Sequence, residues 1–171
     1  MTDYRFSIRI NDKGGVPFRD YTPETLRKLF LESKTGANFE LMSLIEGLTF
    51  LGYFIYCNVS KQPEKYDEVL KNTRDGSFAS VIDKLFKTEV ITEELQLQLH
   101  KYRGKRNAVV HNWLNFKNPL DSEFKHYSYD EVLGQLFVCG IETLGMLHKE
   151  IVPSKDTWSE YVKKVSGKSV I

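Results

Sequence analysis

The sequence predicts a mainly α protein, an antiparallel helical bundle preceded by a short N-terminal β-strand or hairpin. Three observations carry that expectation. Apolar residues recur at helical spacing in most of the chain beyond about residue 20, strict alternation is confined to residues 4–10, and 171 residues with 41% hydrophobic and 13% aromatic content suffice for one core. One domain is therefore expected over 1–171, with a β element at 1–20, a bundle core at 37–152 and a tail with a short helix at 153–171.

Residues 4–10 read Tyr-Arg-Phe-Ser-Ile-Arg-Ile, the period of a half-buried strand, and Asn11-Asp-Lys-Gly-Gly15 is turn chemistry that would make it a hairpin. Thr22-Pro23 places a capping side chain before proline at the first helical position, so a helix is expected over 23–31, with Gly36 closing the connection. From 37 to 57, Leu41, Met42, Leu44, Ile45, Leu48, Leu51, Phe54 and Ile55 surround nearly the whole wheel, as in a central buried helix. A weak helical turn is expected at 66–70. Phe78, Val81, Ile82, Leu85 and Phe86 mark a one-sided helix. The next runs from Thr92 to about Trp113 with a kink expected at Gly104, residues 115–128 form a loop, and 129–151 return to helix before Pro153.

Composition excludes several function classes. Lys plus Arg number 24 against 23 Asp plus Glu, so anion affinity has to be local rather than a property of the whole surface. Cys57 and Cys139 lack CxxC spacing, which argues against a disulfide scaffold or zinc cage and points to a reducing compartment. The N-terminus carries no apolar leader, and the longest apolar stretch, 41–57, is interrupted by Glu46 and falls short of the ~20 residues of a membrane span. A cytoplasmic protein with no membrane partner, no cofactor and no metal site is the expectation.

One segment concentrates the chemistry. Lys101-Tyr-Arg-Gly-Lys-Arg-Asn-Ala-Val-Val-His111 holds Lys101, Arg103, Lys105 and Arg106 within six residues. On a helix Asn107 and His111 share a face, Arg103 lies one turn earlier on it, and Arg106 is displaced by ~100°. A guanidinium, an amide and an imidazole can then converge on one phosphate. An imidazole with a pKa near ~6.5 can take a proton from a ribose 2′-hydroxyl or give one to a leaving 5′-oxygen, while arginine holds the charge gathering on phosphorus. One histidine cannot easily do both tasks, so a homodimer with two copies of this face would complete the site.

Arg106-Asn107-Ala-Val-Val-His111 resembles the R-x(4-6)-H signature of HEPN-domain proteins in its RNxxxH form. The loose pattern would occur by chance about 0.5 times in a chain with seven arginines and four histidines, and requiring asparagine after arginine lowers that to about 0.01. The resemblance implies a helical bundle, a metal-independent endoribonuclease site shared across a dimer, an RNA substrate, and a toxin or phage-defence setting with a protein antitoxin or defence partner. It also implies an acidic residue on the first long helix, for which Glu46 is the first candidate and Glu40 the second. The catalytic candidates are thus Arg106, Asn107, His111 and Glu46, and the RNA-binding candidates are Lys101, Arg103, Lys105 and Trp113. The reading from a different class is a non-catalytic helical dimer that binds RNA, a nucleotide or a partner protein through the same groove. The bland account of Glu46 is a buried acid in a structural ion pair, and that of Tyr53, Phe54 and Tyr56 is core packing or a dimer face.

Overall fold

A computed structural model describes residues 6–8, 19–62, 64, 65, 68, 77–114 and 126–151, excepting the side chains of 6–8, 19–21, 77 and 111–114. The described residues are mainly helical and form an α bundle. Strands β1 (Phe6–Ile8) and β2 (Arg19–Tyr21) pair antiparallel with Phe6 opposite Tyr21. The helices are α1 (Pro23–Glu32), α2 (Lys34–Val59), α3 (Ser77–Lys87), α4 (Glu93–Leu114) and α5 (Tyr129–Ile151). The turn at 11–15, most of the expected helical turn at 66–70, the loop over 115–125 and the final helix after Pro153 lie outside the described residues.

Capping explains the helix starts. Thr22 and Thr25 form a reciprocal box ahead of Pro23, which satisfies amides that the first turn leaves without partners. Ser33 closes α1 through its backbone N–H to Leu29 O and opens α2 by accepting from Gly36 N–H. Gly36 therefore sits in the first turn of α2, not in the connection expected from the sequence, because a single serine serves both ends. Thr92 accepts from Leu95 N–H at the head of α4 and is itself held by the Glu150 carboxylate of α5. Ser128 and Glu131 cap α5 in the same reciprocal way, and those bonds hold the Glu131 carboxyl below the usual range.

The packing directions correct the expected antiparallel arrangement. Asn38 meets Leu133, Leu41 meets Gly140 and Gly52 meets Ile151, so α2 and α5 run parallel. Thr92 meets Glu150 and Gln98 meets Thr143, so α4 runs antiparallel to α5, and hence to α2. The short helix α3, packed on both α2 and α4, changes the parity of the up-and-down order. At Gly140 the three long helices meet, where an added Cβ would stand 3.0 Å from Leu41 and 3.1 Å from Tyr102. Leu41, Ile45, Leu95, Leu99, Tyr102, Leu136, Leu144 and Leu147 fill the core around that crossing.

Two further expectations are altered. The helix α2 is not surrounded, since Phe39, Leu51 and Phe54 are 65%, 46% and 44% exposed. Its 26 residues and mean hydropathy of 1.3 over its most apolar window match the length and composition of a membrane-crossing segment, which the 41–57 stretch did not. A core helix meets the same test, and the buried side of α2 packs on α1, α3 and α5. At Gly104, α4 continues as helix without a break.

Candidate functional site

The site lies where α2 and α4 flank a groove floored by α5. Both helices pack on α5 and reach each other through side chains. On α4, Leu95, Leu99, Tyr102 and Val109 are buried at spacings of a single helical face. Arg106 follows Tyr102 by one turn, which brings its guanidinium out at the rim of that face towards α2. On α2, Ile45 is buried and Glu46, beside it, meets the groove.

Arg106 Nη2 stands 2.7 Å from Glu46 Oε1, with both side chains about one third exposed (31% and 30%). Glu46 Oε1 accepts no aligned hydrogen bond, so the contact is close charge pairing. Arg106 Nη1 donates to Asn107 Oδ1 at 2.8 Å. The guanidinium thus lies between a carboxylate on one side and an amide on the other, and its aligned hydrogen bond is the one to Asn107. Arg106 Nε and Arg103 Nε are buried and donate to no described residue. At this exposure the ion pair contributes about 0–1 kcal/mol to stability, so its main effect is to fix orientation.

Tyr102 extends the cluster beneath the pair. It is fully buried, its hydroxyl has no hydrogen-bond partner among the described residues, and it is close enough to feel both charges. Burial pushes the phenol well above its ordinary pKa, Glu46 adds to the rise and Arg106 opposes it. In the sequence this tyrosine is marked only by its place one turn before Arg106.

The groove brings Glu46, Arg106 and Asn107 together, with Arg103 one turn earlier on α4. His111 and Trp113 lie on α4, His111 one turn after Asn107, and their side chains are outside the description. Lys101 and Lys105 are not part of this groove. They line an open cleft on the other side of α4, against Glu131, Gln135, Val138, Cys139 and Glu142 of α5. Burial pushes the Cys139 thiol up, and the same two lysines pull it back. Glu40, the second acidic candidate, is absent from the Arg106 contacts.

The other histidines are accounted for separately. His100 Nε2 lies 2.9 Å from Asp83 Oδ1 and so ties α4 to α3. Burial works to raise the Asp83 carboxyl, but bonds from His100 and Gln96 outweigh it and leave it lowered. His126 is exposed, and burial holds His148 below the usual imidazole value. Among the described residues no group of three or more His, Cys, Asp or Glu side chains is arranged to hold a metal ion.

A guanidinium placed between an acid and an amide, one turn from a second arginine, is an arrangement that can bind an oxyanion in a set geometry. Comparisons of the chain with protein-family models, with curated proteins and with solved structures return no match.

Proposed function

We propose that the chain is a HEPN-type helical domain, with a small N-terminal β element, that acts as a metal-independent endoribonuclease in the cytoplasm, in a toxin or phage-defence setting. The observation that supports this reading most is the Arg106 to Glu46 pairing at 2.7 Å, with Asn107 on the other side of the same guanidinium. An acid from the first long helix, where the resemblance implies one, lies beside the arginine of the RNxxxH run, and the asparagine of that run accepts from the same guanidinium.

In the proposed reaction Arg106 holds a non-bridging phosphate oxygen. The His111 imidazole of one copy takes the proton of the ribose 2′-hydroxyl, whose oxygen attacks phosphorus. The bond from phosphorus to the 5′-oxygen breaks, and the imidazole of a second copy protonates that oxygen. The products are a 2′,3′-cyclic phosphate and a 5′-hydroxyl. A two-fold homodimer supplies the second imidazole, and an antitoxin or defence-system partner would act by covering the groove.

The test is incubation of single-stranded and transfer RNA with the purified chain in EDTA, with end-group analysis of the fragments. The expected result is cleavage to cyclic-phosphate ends. Tight RNA binding without cleavage would instead favour the non-catalytic dimer, in which the Glu46 to Arg106 pair is a structural tie between α2 and α4.

A further inference from the structure

The exposed residues of α2 form one stripe. Phe39, Ser43, Gly47, Leu51, Phe54 and Asn58 recur every three or four positions, and at about 100° per residue they fall within an arc of about 120° and extend for about 29 Å. The open side of a surface helix ordinarily carries charge, yet none of these six residues is charged. The two polar members turn their donors back onto the helix itself: Ser43 Oγ donates to Phe39 O at 3.1 Å, and Asn58 Nδ2 donates to Phe54 O at 2.8 Å. Within the most apolar window of α2, 33% is buried, so the core does not account for the apolar composition of this helix.

Charge narrows what can cover the stripe. Between Lys34 and Lys61 the chain has no cation, and its charges there are Glu40 and Glu46, which disfavours both phosphate chains and anionic lipid surfaces. The order of side-chain sizes favours a second copy. When α2 is paired with itself antiparallel about Gly47, Ser43 comes level with Leu51 of the second copy, and Phe39 comes within one residue of Phe54 of the second copy. Small faces large in the first pairing and ring faces ring in the second, each occurring twice, as an isologous interface requires. Gly47 has nothing within 4 Å of the place its Cβ would take, so the two helices can approach closely at the axis.

We infer that two copies of the chain pair through this stripe, α2 against α2 antiparallel, with the two-fold axis at Gly47. The inference rests on the ribonuclease reading for what the dimer does, and it supplies the surface through which that dimer forms. Such an axis is perpendicular to both helices and carries whatever stands on one flank of a helix to the same flank of the other. Glu46 lies about 100° around the helix from Gly47, so both Glu46 to Arg106 pairs open on one side of the paired helices. Each copy then completes the site of the other: two guanidiniums, and the two RNxxxH runs on α4 to which they belong, border one cleft.

The experiment follows sedimentation of the full chain across the micromolar range together with RNA cleavage in EDTA. The wild-type chain should dimerise. Gly47→Lys places two like charges at the axis without touching the core, so it should hold or raise the melting temperature, weaken the dimer by at least about 100-fold, and abolish cleavage along with the dimer. Ser43→Glu and Leu51→Lys each press a charge against an apolar face of the second copy, and each should be monomeric alone. Mixed in equal amounts they should dimerise and cleave again, because the axis sets the new carboxylate of one chain against the new ammonium of the other. A monomeric wild type, a Gly47→Lys variant that stays dimeric, or two single variants that pair no better mixed than alone overturns the inference. So does flotation of a monomeric wild type with phosphatidylcholine vesicles, which would give the stripe to a membrane. Cleavage by a monomeric chain, or cleavage unaffected by Gly47→Lys, refutes the surface and keeps the ribonuclease; pairing that obeys this register without cleavage keeps the surface and leaves a binding protein.

Discussion

The two sides of α4 make different uses of one basic run. Towards α2, Arg106 is held by Glu46 at 2.7 Å and by Asn107 at 2.8 Å, above a buried tyrosine. Towards α5, Lys101 and Lys105 line an open cleft that also contains Glu131 and Glu142. Lys101 and Arg106 stand five positions apart in sequence, yet the helix sends one cation to a braced site and the other to solvent among acids. Charge density in a sequence therefore says little about which cation can act on a substrate; what matters is whether a neighbouring element fixes it.

Among the cations of α4, removing the braced one should have the largest effect. Arg106→Ala should lower RNA cleavage by about 10²–10³-fold and weaken RNA binding, while Arg106→Lys should restore part of both, because an ammonium lacks the planar fork. Single-turnover cleavage and filter binding on the same preparations separate the two effects.

The packing beneath the site gives a second contrast. Gly140→Ala should destabilise the fold by about 1–3 kcal/mol, since the new methyl meets Leu41 and Tyr102 at the crossing of three helices. Gly104→Ala should stabilise it by about 0.5–1 kcal/mol, because nothing lies within 4 Å of the added Cβ in the middle of α4. Denaturant unfolding of both variants checks the opposite signs.

Taking away the brace while leaving the arginine should give a smaller change. Glu46→Gln should reduce cleavage by roughly tenfold while RNA affinity stays level or rises, because the guanidinium loses its orienting charge and the groove loses a negative one. A parallel fall in affinity would mean that Glu46 only supports the fold there, and the melting temperature distinguishes that case.

The open side should respond least. The double change Lys101→Ala with Lys105→Ala should weaken RNA binding no more than a few-fold, reduce the salt dependence of binding, and leave cleavage at saturating RNA intact, as expected for screened cations beside carboxylates. A loss of cleavage comparable to that of Arg106→Ala would erase the contrast between the two sides.

Much of this was legible in the residues. Thr22-Pro23 announced α1, the apolar spacing announced α3 to α5, and an acid in an apolar helix asked for a partner that Arg106 supplies. Other features were not legible for physical reasons. The parallel course of α2 and α5 depends on how α3 turns the chain, which periodicity does not encode. Gly36 was misread because glycine in a first helical turn looks like a connection until the Ser33 cap is seen. Lys105 and Arg106 are neighbours in sequence, and only the packing of α4 between two helices shows that they face different grooves. Tyr102 and Asn38 carry ordinary core and helix signals, and it is their unpartnered buried atoms that set them apart.

The most direct measurement is RNA cleavage in EDTA by His111→Ala, with melting temperature and RNA affinity followed in parallel. The imidazole moves protons and adds little to phosphate affinity, so the account predicts that cleavage is abolished while folding and RNA binding are largely kept. Wild-type cleavage by His111→Ala would contradict it.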